Sequence, residues 1–308
     1  MNNFLTFCEF TGRRSDKKLK NGTYIPAPVR RVDIPKPNGG TRMLGIPTLL
    51  DRTIQQAIVM TIGDAFEVQF SDKSYGFREG RNCQQAVQRA QDYIKDGNRW
   101  VVEMDLSKFF DRVNHDILMD RISRVIDDKA ILKLIRRYLN AGIMEDGLTS
   151  PRLEGVPQGS PLSPLLSNIM LTDLDRELEA RGLNHVGYAD DCNIYVKSEK
   201  AAQRVLSNIT KYVEETLKLR VNRDKSGIFR PKDSVFLGYT FSKANCTRII
   251  VAQKSVKRLW TKLHEIFNTA RGTSLGWTIK TITPILRGWR NYYRLDDRKK
   301  YWEEMDER

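Results

Sequence analysis

Two adjacent aspartates, Asp190 and Asp191, interrupt an apolar run and leave few options for the local fold. Residues 186–188 before them and 194–196 after them are rich in β-branched and aromatic side chains, which are typical of strands. The pattern predicts a β-hairpin whose turn carries both carboxylates. Carboxylates this close repel each other unless a cation lies between them, and hard cations such as Mg²⁺ prefer oxygen ligands. Aspartate is also common in ordinary turns, so the pair alone leaves a metal site and a plain turn both open.

The composition indicates a globular protein with an anionic partner. The chain has 308 residues, of which 29% are charged, and a formal net charge of +14, which favours nucleic acid or a membrane surface. No apolar run is long enough to span a bilayer, and the first residues lack a signal-peptide pattern. The four cysteines are far apart and do not have the spacing of a zinc site. This pattern is typical of free thiols in a reducing compartment. We therefore expect a cytoplasmic protein that binds nucleic acid and no membrane.

A third carboxylate ends another predicted strand. Residues 100–106 form a compact apolar run with Asp105 near its end. Helical patterns follow, then a loop rich in glycine and proline at residues 155–164, and then the Asp190–Asp191 hairpin. This order predicts an antiparallel sheet with helices on one face, the α+β class. In such a sheet the three carboxylates converge, and they suffice for two divalent metals about 4 Å apart that serve phosphoryl transfer.

Basic residues mark two further segments of the N-terminal half. Residues 29–47 have the pattern of two strands around a Pro-Asn-Gly-Gly turn, which brings Lys36 and Arg42 to one end. That end is either a clamp for a triphosphate or a solvated basic turn. In residues 74–82, aromatic, glycine and arginine residues are interleaved, a mixture that suits contact with a nucleic-acid strand.

The C-terminal part changes in composition. Short strands are predicted at residues 219–221 and 235–241, the second paired with residues 248–251. From residue 254 onward, Lys and Arg greatly outnumber acidic residues, and tryptophans are set among them. We place a domain boundary near residue 252, followed by a basic helical module. Tryptophans at this spacing are more often core residues than platforms for bases.

The motifs, taken in this order, resemble the reverse transcriptase family. Residues 188–191 resemble its metal-binding motif, residues 105–111 its first catalytic motif, and residues 155–164 the Pro-Gln-Gly motif that follows. The resemblance narrows to bacterial group II intron-encoded reverse transcriptases and covers roughly residues 29 to 300. The segments that carry the narrower resemblance are residues 34–42, 74–78, 158–159, 163–169, 236–239 and 286–289.

The resemblance implies a catalytic centre. Asp105 and Asp190 would bind two Mg²⁺ ions, for which Mn²⁺ is a substitute. Asp191 would also bind metal, although neighbouring residues of a strand point to opposite faces. Lys225 matches the lysine that protonates the departing pyrophosphate, a role suited to a lysine near a leaving phosphate. A solvated lysine in a loop remains the alternative for Lys225.

The resemblance also implies binding residues. Lys36 and Arg42 match residues that hold the triphosphate of the incoming deoxynucleotide, Phe110 matches the aromatic under its sugar, and Gln158 lines the same pocket. A phenyl ring there leaves no room for a 2′-hydroxyl, which favours DNA synthesis. The alternative is that Phe110 belongs to the core and Phe109 faces the site. The residues that would contact the RNA template are Arg78, Arg287 and Arg290.

Family members fold as a right hand, which implies a division of this chain. We expect fingers at residues 1–98, a palm with a ferredoxin-like antiparallel sheet at 99–251, and a basic helical thumb at 252–308. Fingers elements are expected within the palm near residues 121–154. The N-terminal part of the fingers and the thumb are expected to be incomplete, and the DNA-binding and endonuclease modules of some relatives absent.

The implied function is that of an RNA-directed DNA polymerase of a group II intron-type retroelement. Such an enzyme adds deoxynucleotides to a DNA or RNA primer on an RNA template in the prokaryotic cytoplasm. As a maturase it also binds the intron RNA. Two alternatives stay open: an RNA-binding splicing cofactor with an idle polymerase site, and a domesticated reverse transcriptase, for instance in phage defence. A homodimer is also left open.

Overall fold

The computed structural model describes residues 13–35, 39–243, 247–296, 298 and 301–303. The strands are β1 (Val29–Pro35), β2 (Thr41–Ile46), β3 (Trp100–Asp105), β4 (Ile143–Glu145), β5 (Leu148–Ser150), β6 (Asn184–Tyr188), β7 (Asp191–Val196), β8 (Gly227–Phe229), β9 (Tyr239–Phe241) and β10 (Ile249–Val251). The helices are α1 (Arg13–Lys20), α2 (Leu49–Glu67), α3 (Cys83–Lys95), α4 (Phe109–Arg112), α5 (His115–Ser123), α6 (Lys129–Asn140), α7 (Ser163–Ala180), α8 (Glu199–Glu215), α9 (Gln253–Thr269) and α10 (Leu275–Tyr292).

The central sheet has the strand order β6-β7-β3-β8, and each neighbouring pair is antiparallel. Helices α7 and α8 pack on the face that carries Val102, and α3 packs on the face that carries Val101. Both valines are completely buried because the sheet is covered on both sides at this point. The predicted antiparallel α+β architecture is confirmed. The expectation of helices on one face alone is wrong, because α3 covers the second face.

Two short strand pairs are absent from the sequence predictions. β8 pairs with β3 and completes the central sheet, whereas the predicted strand at residues 219–221 contributes only an isolated bridge between Val221 and Leu106. β4 and β5 form a hairpin whose turn residues, Asp146 and Gly147, both have positive φ. Asp-Gly at such a turn is a strong hairpin signal, so this hairpin was predictable. β8 was not predictable, because three residues are too few to show the alternation of apolar and polar side chains.

The N-terminal sheet has the strand order β2-β1-β4-β5. The predicted hairpin of residues 29–47 is confirmed, with Ile34 opposite Arg42 in the antiparallel register of β1 and β2. Lys36 lies outside the described residues. The amide of Gly45 donates a hydrogen bond of 2.8 Å to the carbonyl of Gln158, so β2 is joined directly to the glycine- and proline-rich loop.

A strand pair precedes the two C-terminal helices, α9 and α10. β9 and β10 form the expected pair, and Ala252 is the residue that precedes the first turn of α9. The aromatic rings of Tyr239 and Tyr293 lie edge to face at 5.1 Å and join the sheet to the end of α10. Trp277 on α10 is 44% exposed and is no core residue. Among the helices of the described residues, none is long and apolar enough to cross a membrane.

Candidate active site

Strand register brings the three predicted carboxylates to one edge of the central sheet. Asp105 is the last residue of β3, and it stands directly opposite Asp191, the first residue of β7. Asp191 also pairs with Tyr188 of β6, so Asp190 lies in the two-residue turn between these strands. The other turn residue, Ala189, has a φ of 54°, a conformation that a non-glycine residue adopts only when its surroundings enforce it.

The electrostatics of this edge show that the carboxylates crowd each other. Burial, followed by repulsion from Asp105, raises the pKa of Asp190. Burial, followed by repulsion from Asp190 and Asp105, raises the pKa of Asp191 to about 6. The positive charges of Arg42 and Lys225 act in the opposite direction on the pKa of Asp190. The site therefore concentrates negative charge that a cation would relieve.

A loop after α8 holds Asp105 from the side. The side-chain amide of Asn222 donates to Oδ1 of Asp105 at 2.9 Å, and the ammonium of Lys225 donates to Oδ2 at 3.4 Å. The backbone amide of Asp105 donates to the hydroxyl of Ser226 at 3.0 Å. Sequence reasoning singled out Lys225 and missed Asn222. The pattern Asn-Arg-Asp-Lys-Ser signals a turn, but it does not tell which strand the turn contacts.

The donor set fits a divalent cation in its chemistry. Carboxylate oxygens are the ligands that Mg²⁺ and Mn²⁺ prefer, and three carboxylates lie at neighbouring positions of one edge. Across the described ranges, no three His, Cys, Asp or Glu side chains already stand at the mutual spacing of a metal site. Asp105 is turned instead toward Asn222 and Lys225.

Two adjacent phenylalanines, Phe109 and Phe110, follow β3. Phe110 is half-buried and packs edge to face on Phe109 at 5.2 Å, whereas Phe109 is only 2% exposed and belongs to the core. The amide of Val156 donates to the carbonyl of Phe110 at 2.6 Å. Gly155 has a φ of 86°, and a β-carbon there would lie 2.9 Å from the Phe110 carbonyl oxygen. The loop that carries Gln158 is thus fixed against Phe110.

The loop at residues 74–78 has a structural task that the sequence did not reveal. Its backbone joins the edge of the hairpin, because Tyr75 donates to the carbonyl of Gly187 at 2.9 Å. A β-carbon at Gly76 would clash with the amide nitrogen of Ala189. The guanidinium of Arg78 is buried and donates to Glu67 and to backbone carbonyls of its own loop. This placement favours a structural role for Arg78 over the predicted RNA contact.

The other two predicted RNA-binding arginines lie far along the chain. Arg287 and Arg290 are both exposed on α10. The same helix exposes Leu275, Trp277 and Ile279, and no residue of α10 is buried. Cations and a large aromatic ring on an exposed helix are typical of surfaces that bind single-stranded nucleic acid.

Comparison with known proteins assigns the family. Residues 34–241 match the model of the reverse transcriptase family, described as RNA-dependent DNA polymerase. The chain belongs to the reverse transcriptase family. Residues 256–308 match the maturase-specific domain of group II introns, which agrees with the resemblance read from the motifs. The family match contains Asp105, Asp190 and Asp191, the residues that strand register brings to one edge.

Curated relatives agree with this reverse transcriptase assignment. Protein YkfC of Escherichia coli is 36% identical to this chain. The match covers 72% of this chain and 68% of YkfC. The group II intron-encoded protein LtrA of Lactococcus lactis is 40% identical over 171 residues, 55% of this chain and 28% of LtrA. The putative COX1/OXI3 intron 1 protein of Saccharomyces cerevisiae is 32% identical, and the chain spans 29% of its length.

Solved structures support the fold of this chain. The telomerase of Candida albicans, solved with a fragment of telomeric RNA, gives a TM-score of 0.56 at 13% identity, covering 88% of this chain and 54% of the telomerase chain. The apo telomerase of Candida tropicalis, truncated from its C-terminal domain, gives a TM-score of 0.54, covering 78% and 59%. At this identity the likeness shows the fold alone, and it confirms the predicted right-hand polymerase class.

Substitution of Gly76 tests whether the 74–78 loop supports the aspartate turn. We expect Gly76→Ala to displace the backbone at Ala189, to lower the free energy of unfolding by about 1–3 kcal/mol, and to weaken Mn²⁺ binding. Denaturant unfolding and a Mn²⁺ titration measure the two effects. The control is Gly63→Ala in α2, where the added methyl meets no atom and favours the helix. Equal Mn²⁺ affinity in both variants would contradict this support role.

Proposed function

We propose that this chain is an RNA-directed DNA polymerase that adds deoxynucleotides to a DNA or RNA primer on an RNA template. The observation that carries the proposal is the register of β3 and β7, which sets Asp105 opposite Asp191 beside the Asp190 turn. This arrangement provides the oxygen ligands for two Mg²⁺ ions, with Mn²⁺ as a substitute. When bound, the ions activate the attacking oxygen and stabilise the leaving one.

The remaining chemistry is assigned to residues around the carboxylates. Arg42 offers a positive charge to the triphosphate, and Phe110 and Gln158 line the place of the sugar and base. The primer 3′-oxygen forms a bond to the α-phosphorus while the bond from that phosphorus to the pyrophosphate oxygen breaks. Lys225 gives its proton to the departing pyrophosphate. Its side chain is 67% exposed, so it has room to reach that leaving group.

The right-hand fold suggests how the chain is divided. We assign fingers to residues 1–98, a palm to 99–251 with fingers elements near 121–154, and a thumb to 252–308. The β4–β5 hairpin supports the inserted fingers elements, because β4 pairs with β1 of the N-terminal sheet. The bacterial relatives and the net charge of +14 support a prokaryotic cytoplasmic setting with RNA as the partner.

A maturase role is the second function that a specific observation favours. The match of residues 256–308 to the maturase-specific domain covers the exposed helix that carries Arg287, Arg290 and Trp277. We infer that this surface binds intron RNA, a role that does not need the carboxylates. A variant that lacks polymerase activity but still supports splicing would separate the two functions.

Primer extension with Asp190→Asn tests the polymerase. The purified wild-type chain with RNA template, DNA primer, Mg²⁺ and deoxynucleotides is expected to extend the primer. Loss of the Asp190 ligand should reduce the rate by roughly 10²–10³-fold or more, the scale of removing one preorganised electrostatic partner. Asp64→Asn, an exposed position of α2, is the control and should retain activity. No extension by a folded wild-type chain, or full activity of Asp190→Asn, would contradict the proposal.

The two phenylalanines after β3 should have different effects. Phe110→Val opens space at the sugar, so we expect ribonucleotide incorporation relative to deoxynucleotide to rise roughly 10-fold or more. Phe109→Ala removes a core ring and should lower the free energy of unfolding by about 3–5 kcal/mol without changing the sugar preference of the folded fraction. Single-nucleotide extension and denaturant unfolding measure these outcomes. An unchanged sugar preference in Phe110→Val would show that Phe110 is not the gate.

A further inference from the structure

The two partners of the Asp105 carboxylate differ in kind. Asn222 donates a neutral amide hydrogen to Oδ1 at 2.9 Å, whereas Lys225 donates from a positively charged ammonium to Oδ2 at 3.4 Å. The side chain of Asp105 is 25% exposed, and the side chain of Lys225 is 67% exposed. One oxygen therefore has a neutral partner, and the other has a solvent-exposed cation.

Asn222 is fixed because its turn is tied to β3. Its backbone amide donates to the Asp105 carbonyl at 2.8 Å, and its own carbonyl accepts from the amide of Ser226 at 2.8 Å. Its side-chain oxygen accepts from the amide of Asp224 at 3.3 Å. These bonds orient the Asn222 side chain before any ligand binds, so the amide keeps Oδ1 of Asp105 in one place.

The Lys225 side chain is held through its ammonium, which forms an ion pair with the Asp105 carboxylate. The lysine stem has four carbons with free rotation, and a surface ion pair of this kind contributes little net stability. Its positive charge nevertheless acts on both Asp190 and Asp191 as well as on Asp105. The charge of Arg42 in β2, an exposed residue, also acts on Asp190.

We propose that Lys225 is an exchangeable counterion of the metal site: it neutralises Asp105 in the metal-free protein and leaves when a divalent cation binds, while Asn222 keeps the carboxylate oriented in both states. The proposal rests on the proposed function, since it assumes that the three carboxylates bind metal. The proposal also sets the order of events. The cation that displaces Lys225 from Asp105 makes the lysine available for the leaving phosphate.

The exchange follows from charge. An ammonium and a divalent cation at neighbouring oxygens of one carboxylate repel each other, and they do so more strongly in a protein than in water. Removal of the ammonium should therefore strengthen metal binding, although Lys225 takes part in the reaction. Removal of the neutral amide should weaken it, because Asp105 then loses its orientation. A residue that only stabilises the fold would not give opposite signs.

Binding of Mn²⁺ to the full chain without nucleotide tests the proposal, with free Mn²⁺ measured by electron paramagnetic resonance. Lys225→Gln should bind Mn²⁺ about three- to tenfold more tightly than wild type, in line with the loss of one nearby positive charge. Lys225→Arg, which keeps the charge, should not bind more tightly than wild type. Asn222→Ala should bind several-fold more weakly. Lys211→Gln on α8, where the lysine is 72% exposed, removes the same charge elsewhere and should leave the affinity unchanged.

The outcomes separate this proposal from the proposed function. Equal Mn²⁺ affinity in wild type and Lys225→Gln would overturn the exchange and leave the metal site standing. Equal tightening in Lys225→Gln and Lys211→Gln would also overturn it, because net charge would then explain the effect. Absence of Mn²⁺ binding in the wild-type chain would overturn both proposals. The main comparison uses an exposed lysine, so it holds even if Asn222→Ala unfolds.

Discussion

Three carboxylates held at one edge of an antiparallel sheet repel each other, and the surrounding structure is arranged to tolerate that repulsion. Asp105 and Asp191 face each other across β3 and β7, and Asp190 occupies the adjoining turn. Burial and the charges of the other two carboxylates raise the pKa of Asp191 to about 6. Arg42 and Lys225 provide positive charge from two different segments. A bound divalent cation would balance the remaining negative charge.

The fold supplies rigid supports on both sides of these carboxylates. The backbone of Gly187 exchanges hydrogen bonds of 2.9 Å with Lys73 and Tyr75, which fixes the hairpin from one side. On the other side, Glu103 of β3 accepts hydrogen bonds from the hydroxyl of Ser234 at 2.5 Å and from the next backbone amide at 3.1 Å. Glu103 lies two residues before Asp105, on the same face of the strand. Residues 73–75, residues 234–235 and the carboxylates are therefore joined through β3 and β6.

The sequence predicts the carboxylate strands well because alternating apolar residues and a turn are local signals. It predicts the hairpin with Asp190 on the same grounds, and the order of strands then implies that the carboxylates meet. It does not reveal Asn222, because a turn residue shows no sign of which strand it will contact. The close approach of Gly76 to the hairpin and the burial of Arg78 also depend on tertiary contacts, which the local sequence does not show. An arginine in a glycine-rich loop has the same sequence pattern whether it binds RNA or its own backbone.

Cleavage of the backbone by bound iron tests most directly whether the carboxylates form one metal site. Fe²⁺ takes the place of Mg²⁺ at oxygen ligands, and with ascorbate and peroxide it generates radicals that cut the nearest peptide bonds. Cuts are expected in two segments distant in sequence, one near Asp105 and one near Asp190, and excess Mg²⁺ should suppress both together. Cuts near only one of these segments, or cuts that Mg²⁺ does not suppress, would contradict a shared metal site.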